Sequence, residues 1–310
     1  MQLPLAEGLT EVDGRLVYVE RLTRDVLFMT YISRVLFSGR SDYQLIEVVE
    51  NPTFGKMLYL DHKLQVATAD EWIYHEALVH PAMLTHPEPR RVLIVGGGDG
   101  GALREVLKHD CVEEVTVVEL DPRVVECVRE YLPEVPRGAF DDSRVRFVFT
   151  DGRRFIEEGG GRFDVIIADV TDPWGQSSFL YTREFYEAVS RRLSELGVFV
   201  TQALSVYLYF DQFARIYNAV STAFKHAVAY SAFVPSFSDQ WSFVMGSNSV
   251  DPSSVSVSEV ERRYRERGLV TRYYRPERHR ELTSLPAHVE ARLREFKEVS
   301  TDSSPVAVPL

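Results

Sequence analysis

The sequence predicts an α/β protein in which a small N-terminal β domain precedes a doubly wound parallel sheet. Three observations predict it. From residue 91 onward, short apolar runs alternate with stretches of helical composition, the pattern of βαβ units. A glycine cluster, Gly96 to Gly101, follows the first of these runs. Residues 1–70 carry β punctuation and leave no room for a long helix. A chain of 310 residues that is 45% apolar suits one large domain or a domain with a modest companion.

In order, Gly14, Gly39 and the Asn51-Pro52 turn separate runs such as Arg15–Glu20 and Tyr43–Val49, which read as strands. From Asp70 the spacing becomes helical, with Ile73, Ala77, Leu78, Met83 and Leu84 on one apolar face before Pro87 and Pro89. The expected organisation is a β domain over 1–70, a catalytic domain over 71–299 and a polar tail over 300–310. Arg91–Val95, Val115–Glu119, Val145–Phe149, Phe163–Ala168 and Gly197–Thr201 read as parallel strands. Helices are expected over Ala102–His109, Pro122–Tyr131 and Thr182–Leu193, proline being well placed in a first turn. Ala227–Val234 and Trp241–Met245 flank a turn-like Pro235–Asp239 and read as an antiparallel edge hairpin, followed by a polar helix over Ser256–Glu266.

Composition excludes several classes. With 46 acidic against 35 basic residues, the net charge of −11 disfavours nucleic acid and leaves a cationic partner open. Cys111 and Cys127, the only cysteines, stand in no metal-like spacing. No apolar run is long enough to span a membrane, and the opening residues lack a leader pattern. A cytoplasmic protein is the expectation.

Gly96-Gly-Gly-Asp-Gly-Gly lies where a strand turns into a helix, and Glu119 ends the next strand twenty-one residues after Gly98. That combination fits a nucleoside site, with the acid on the ribose hydroxyls. Asp99 stands where a pyrophosphate would lie and would repel it, so a cationic sulfonium nucleoside is expected instead. Asp151-Gly152 follows the third strand, where Asp151 either reads an adenine amino group or caps a helix.

Asp169-Val-Thr-Asp172-Pro leaves the fourth strand at its carboxyl end, where open α/β sheets bind ligands. Asp99, Asp169 and Asp172 sharing a pocket would raise one another's pKa and be relieved by a cation. A polyamine satisfies that requirement, and Asp169, nearest the strand, is the candidate proton acceptor.

Together, Asp70-Glu-Trp-Ile-Tyr-His-Glu, Gly96-Gly-Gly-Asp-Gly-Gly-Ala-Leu-Arg-Glu-Val, Val118-Glu-Leu-Asp, Asp151-Gly, Asp169-Val-Thr-Asp-Pro and Phe199-Val-Thr-Gln resemble the polyamine aminopropyltransferases, the spermidine synthase family. The resemblance implies a Rossmann-like, class I methyltransferase-type catalytic domain, commonly in a homodimer or homotetramer. It implies transfer of an aminopropyl group from decarboxylated S-adenosylmethionine, a co-substrate, to an amine, with no metal or cofactor. Gln44, Asp99, Glu119, Asp151 and Gly152 would hold the donor, Glu119 on the ribose and Asp151 near the adenine. Tyr74, His75, Asp99, Asp169, Asp172 and Trp241 would meet the acceptor. Taken without its motif, His75 reads as a helix-face histidine satisfied by the core.

Two departures from the family pattern bear on function. Pro173-Trp-Gly-Gln-Ser-Ser lacks the Gly-Pro pair, so Gln176 replaces the proline bordering the nucleoside. Val234-Pro-Ser-Phe resembles thermospermine synthases, which moves the expected acceptor towards spermidine, ahead of putrescine or agmatine. Phe233, Phe237, Asp239 and Trp241 form either an aromatic-acidic wall for a long cation or ordinary hairpin packing. A small-molecule methyltransferase shares the nucleoside logic but has no use for Asp99, and a noncatalytic polyamine-binding protein has none for Asp169.

Overall fold

Runs of β-branched and aliphatic residues such as Val92-Leu-Ile-Val and Val165-Ile-Ile build the centre of the molecule, as expected for parallel strands covered on both faces. The structure, a computed structural model, describes residues 7–308. The opening six residues, where no leader is expected, and the last two of the tail lie outside the described residues.

Among the described residues, seven strands precede the first helix. β1 (Gly8–Val12), β2 (Arg15–Thr23) and β3 (Val26–Tyr31) form one antiparallel sheet. β4 (Arg34–Arg40), β5 (Leu45–Asn51), β6 (Gly55–Leu60) and β7 (Lys63–Ala67) form a second. Gly14 turns the chain with φ of 72°. Gly39 does not. It lies within β4, where a Cβ would come 2.9 Å from the Phe37 ring.

α1 (Glu71–Thr85) then leads into β8 (Arg91–Gly96), α2 (Gly101–Leu107), β9 (Glu114–Glu119), α3 (Pro122–Tyr131), β10 (Val145–Phe149) and α4 (Gly152–Glu158). β11 (Phe163–Asp169), α5 (Arg183–Arg192), β12 (Leu193–Ser205), α6 (Phe210–Ala223), β13 (His226–Val234) and β14 (Asp239–Ser247) follow. α7 (Val257–Glu266) and α8 (Ala287–Glu295) complete the helices among the described residues. α6 and α8 are absent from the sequence reading, and α4 enters it only as the helix that Asp151 would cap. The expected hairpin is β13–β14, and Ser256 caps α7.

The seven-stranded sheet has the order β10-β9-β8-β11-β12-β14-β13, with β14 antiparallel to both of its neighbours. Ile94 of β8 pairs with Val117 on one side and Ile167 on the other. Strand alternation divides the core in two. Ile94 and Ile167 face α1, α2 and α3, whereas Leu93 and Ile166 face α4, α5 and α6. The strand order reverses between β8 and β11, where Gly96 pairs with Asp169. The carboxyl ends beside such a reversal leave a crevice for ligands.

Two sequence expectations change here. α1 is buried on nearly every side rather than along one apolar face. Its polar residues are therefore turned inward and bonded, as burial requires. Glu76, for example, accepts the backbone N–H groups of Arg272, Tyr273 and Tyr274 at 2.8, 2.7 and 2.9 Å. The tail, polar by composition, is docked: Ser300 and Val306 are fully buried. Asp302 pairs with Arg153 at 2.6 Å and accepts from the Thr182 hydroxyl at 2.7 Å. No helix among the described residues is long and apolar enough to cross a membrane.

Candidate active site

The crevice at the β8–β11 reversal is a cleft of about 1140 Å³, open mouth included. Its floor depends on two close approaches. Gly96 has φ of 79°, and a Cβ there would lie 2.2 Å from the Asp169 carbonyl oxygen. A Cβ on Gly98 would lie 2.9 Å from Glu119 Oε2. Only glycine lets the loop pass this near to both strand ends. The Gly97 N–H then donates to the Asp169 carbonyl at 2.8 Å, joining the loop to β11.

Gln44, Tyr74, Asp99, Glu119, Asp151, Gly152, Asp169, Asp172 and Trp241 all line this one cleft. Elements far apart in sequence supply them: the turn before β5, the first turns of α1, the loops after β8 and β10, the ends of β9 and β11, and β14. Gln176, which stands in place of the family's proline, lines it as well. Asp151 caps α4 by accepting from the Arg154 N–H at 2.7 Å, the second of its two sequence readings, and it also lines the cleft.

Three sequence-named residues fall outside its lining. His75, expected to meet the acceptor, stands directly behind the cleft wall, beside Asp99 and Asp169. Its side chain is 1% exposed, with Nδ1 2.7 Å from Glu71 Oε2 and Nε2 3.4 Å from Asp99 Oδ1. Phe233 points to solvent, 54% exposed, because Ala232 and Val234 on either side of it take the inward face of β13. Asp239 is buried but does not line the cleft. Phe237 and Trp241 do line it, their ring centroids 4.9 Å apart.

The sequence reading missed Gln202 and Gln65, both on the cleft wall. Gln202 ends the quoted Phe199-Val-Thr-Gln run in β12, so the strand-end rule that found Asp169 would have found it. Gln65, on β7, carried no comparable signal.

The carboxyl groups are held under tension. Burial pushes Asp169 up to about 6, with the Asp99 charge adding to the rise and His75 and Tyr74 opposing it. The Tyr74 hydroxyl donates to Asp169 Oδ1 at 2.8 Å, while Asp169 Oδ2 is buried with no partner. Burial likewise raises Asp172 to about 6, against Lys63 and Gln202, and Glu119 to about 7, against the Asp121 N–H.

Each of these acids binds its proton more tightly in the folded chain than in the unfolded one. Their contribution to stability is therefore greatest near pH 4 and falls as pH rises to about 7. A bound polycation offsets that loss by pairing with the ionised carboxylates. Spermidine is expected to raise Tm more at pH 8 than at pH 5, measured by differential scanning calorimetry. Equal shifts at the two pH values would show that these carboxyl groups do not face the ligand.

His75, Asp99 and Asp169 bring one ligand atom each within 4.8 Å of one another. His75 turns Nδ1 to Glu71 and Nε2 towards Asp99, so its ring stands between two carboxylates.

Residues 71–256 match the spermine/spermidine synthase domain family, and residues 16–68 match the spermidine synthase tetramerisation domain family. The chain is 45% identical over 304 residues to a polyamine aminopropyltransferase of Korarchaeum cryptofilum, covering 97% of this chain and 94% of that protein. It is 47% identical over 259 residues to polyamine aminopropyltransferase 1 of Hyperthermus butylicus, covering 82% and 89%. Among solved structures it resembles a spermidine synthase in complex with the transition-state analogue AdoDATO, with TM-score 0.86 and 37% identity. It also resembles the spermidine synthase of Thermotoga maritima, with TM-score 0.83 and 34% identity. Each alignment covers 94% of this chain and 99% of the other.

Proposed function

The chain belongs to the polyamine aminopropyltransferase (spermine/spermidine synthase) family, and from that premise we propose that it moves the aminopropyl group of decarboxylated S-adenosylmethionine onto a polyamine. The observation that carries the reading is Asp169 Oδ2, a buried carboxylate oxygen without a partner on the wall of a cleft rich in acids. In water a primary amine has a pKa near 10, so exposing its lone pair at neutral pH costs about 4 to 5 kcal/mol. A carboxylate at the reacting nitrogen accepts the proton as the bond forms.

The step is a direct displacement. The acceptor nitrogen attacks the methylene beside the sulfonium, the C–N bond forms, and the C–S pair returns to sulfur. Neutral 5'-methylthioadenosine leaves and the amine proton passes to Asp169. Alignment of the two substrates supplies much of the remaining rate. Glu119 takes the ribose hydroxyls, Asp151, Gly152 and Gln44 border the nucleoside, and Asp99 pairs with the donor's ammonium. No step calls for a metal or cofactor.

Tyr74, Asp172 and Trp241 receive the acceptor. We place spermidine first, because Phe237 and Trp241 add aromatic lining to the cleft, which favours a second ammonium beyond the one that meets Asp172. The enzyme would work as a homodimer or homotetramer in the cytoplasm. In support, β3 exposes Leu27, Met29 and Tyr31 at alternate positions, an apolar face suited to a second copy.

Decarboxylated donor incubated in parallel with putrescine, agmatine and spermidine, followed by chromatography, tests the reading. Methylthioadenosine release with a new spermine-type product from spermidine is expected. Release with putrescine alone would overturn the acceptor assignment, and release with no amine would overturn the function.

A further inference from the structure

Behind the cleft lies a row of buried charges of which only its last member, Asp99, has a part in the displacement described above. Arg104 on α2 grips Glu71 on α1 with both terminal nitrogens, Nη1 to Oε1 at 2.8 Å and Nη2 to Oε2 at 2.9 Å. Glu71 Oε2 lies 2.7 Å from His75 Nδ1, one helical turn along, and His75 Nε2 lies 3.4 Å from Asp99 Oδ1. The side chains of Arg104, Glu71, His75 and Asp99 are 9, 2, 1 and 13% exposed. Gly101 makes room for the ring, since a Cβ there would come 2.2 Å from it. Its N–H donates to Asp99 Oδ1 at 2.7 Å.

A neutral imidazole offers one N–H and one lone pair, so between two carboxylates it would turn the lone pair on one of them. An imidazolium gives an N–H to Glu71 and sets its charge 3.4 Å from Asp99, which Nε2 faces at ion-pair rather than hydrogen-bonding geometry. The row then reads positive, negative, positive, negative from Arg104 to Asp99, compensated within itself. Asp169 joins the end of the row, with one ligand atom from each of His75, Asp99 and Asp169 within 4.8 Å of the others. Two carboxylates this close do not ionise equally, and the nearer cation decides which is the anion.

We propose that Arg104, Glu71 and His75 are positioning residues, a buried relay whose imidazolium end keeps Asp99 anionic and thereby leaves Asp169 as the carboxyl group that exchanges a proton with the acceptor amine. The inference rests on the aminopropyl-transfer reading and adds to it the origin of the division of labour between the two acids. The other titratable groups around them do not supply that bias. Tyr74 on α1 donates to Asp169, Tyr181 after β11 is fully buried, and Glu119 at the end of β9 and Asp172 add further negative charge. On α2, Glu105 takes the Arg104 Nε–H at 2.8 Å and lies behind the row.

The test is the pH profile of kcat/KM for the full-length wild type, His75→Gln and Glu71→Gln, each with decarboxylated S-adenosylmethionine. Without the imidazolium, the Asp99 charge acts unopposed on Asp169. The acid limb of His75→Gln is expected to move up by about one pH unit or more, and donor affinity to fall. Glu71→Gln, which loosens the imidazolium from the far side, is expected to move the limb the same way by less. Lower rates with an unmoved acid limb in both variants would overturn the relay and leave a structural role. If His75→Gln does not fold, Glu71→Gln decides alone, an unmoved limb again overturning the proposal. A wild type that releases no methylthioadenosine would instead overturn the transfer reading beneath it.

Discussion

Replacing Asp169 by Asn is expected to lower kcat by about 10³-fold while leaving the Kd for decarboxylated S-adenosylmethionine within about threefold. The magnitude is that of a lost general base, and asparagine cannot accept the amine proton. The variant is otherwise conservative. An amide oxygen still accepts from the Tyr74 hydroxyl, which bonds Asp169 Oδ1 at 2.8 Å, and the Gly97 N–H bond goes to the backbone carbonyl of residue 169, untouched by the change. Wild-type activity should fall as pH drops through about 6, because Asp169 must be ionised to act and burial holds it up to about 6. That limb should disappear in the variant. Steady-state kinetics with single-turnover release of methylthioadenosine, and calorimetry for the donor, separate the outcomes. An unchanged kcat, or a parallel loss of donor binding, would remove Asp169 from the proton-acceptor role.

The acids that carry this argument were legible because they depend on local order. Asp99, Glu119, Asp151, Asp169 and Asp172 each follow an apolar run that reads as a strand, and parallel strands bring all their carboxyl ends to one edge. His75 was not legible in the same way. Its neighbour Glu71 is four residues back on the same helix, a spacing visible in the sequence. Its other partner, Asp99, and the arginine that fixes Glu71 come from beyond β8, and only the docking of α1 against α2 brings them together. Phe233 shows the opposite case, a misreading that period-2 alternation between Ala232 and Val234 could have prevented.

The docked tail failed for a compositional reason. Ser, Asp and Pro mark loops and linkers on average, yet here Val306 and Val308 are buried and Asp302 finds Arg153 and Thr182. Average composition cannot anticipate a segment held by two apolar anchors and one ion pair.

The second large effect is expected at the donor's far end. Asp99→Asn should weaken binding of decarboxylated S-adenosylmethionine by about 10²-fold and reduce its advantage over the intact donor by a similar factor. In the cleft Asp99 is kept below the usual carboxylate range: burial alone would raise it, but the His75 charge and the Gly101 N–H outweigh that. An anion so held attracts the ammonium shared by both donors and repels the carboxylate that only the intact donor carries. At about 4 Å and an effective dielectric near 20, each such pairwise effect is worth up to about 4 kcal/mol before desolvation is subtracted. A net 2.7 kcal/mol, about two decades in affinity, is a moderate fraction of that. Asparagine keeps the shape and can still accept from the Gly101 N–H, 2.7 Å from Asp99 Oδ1, so the loop should stay in place while the charge is lost. Calorimetric titration of wild type and variant with both donors checks this, and an affinity ratio unchanged by the substitution would show that discrimination between them lies elsewhere in the cleft.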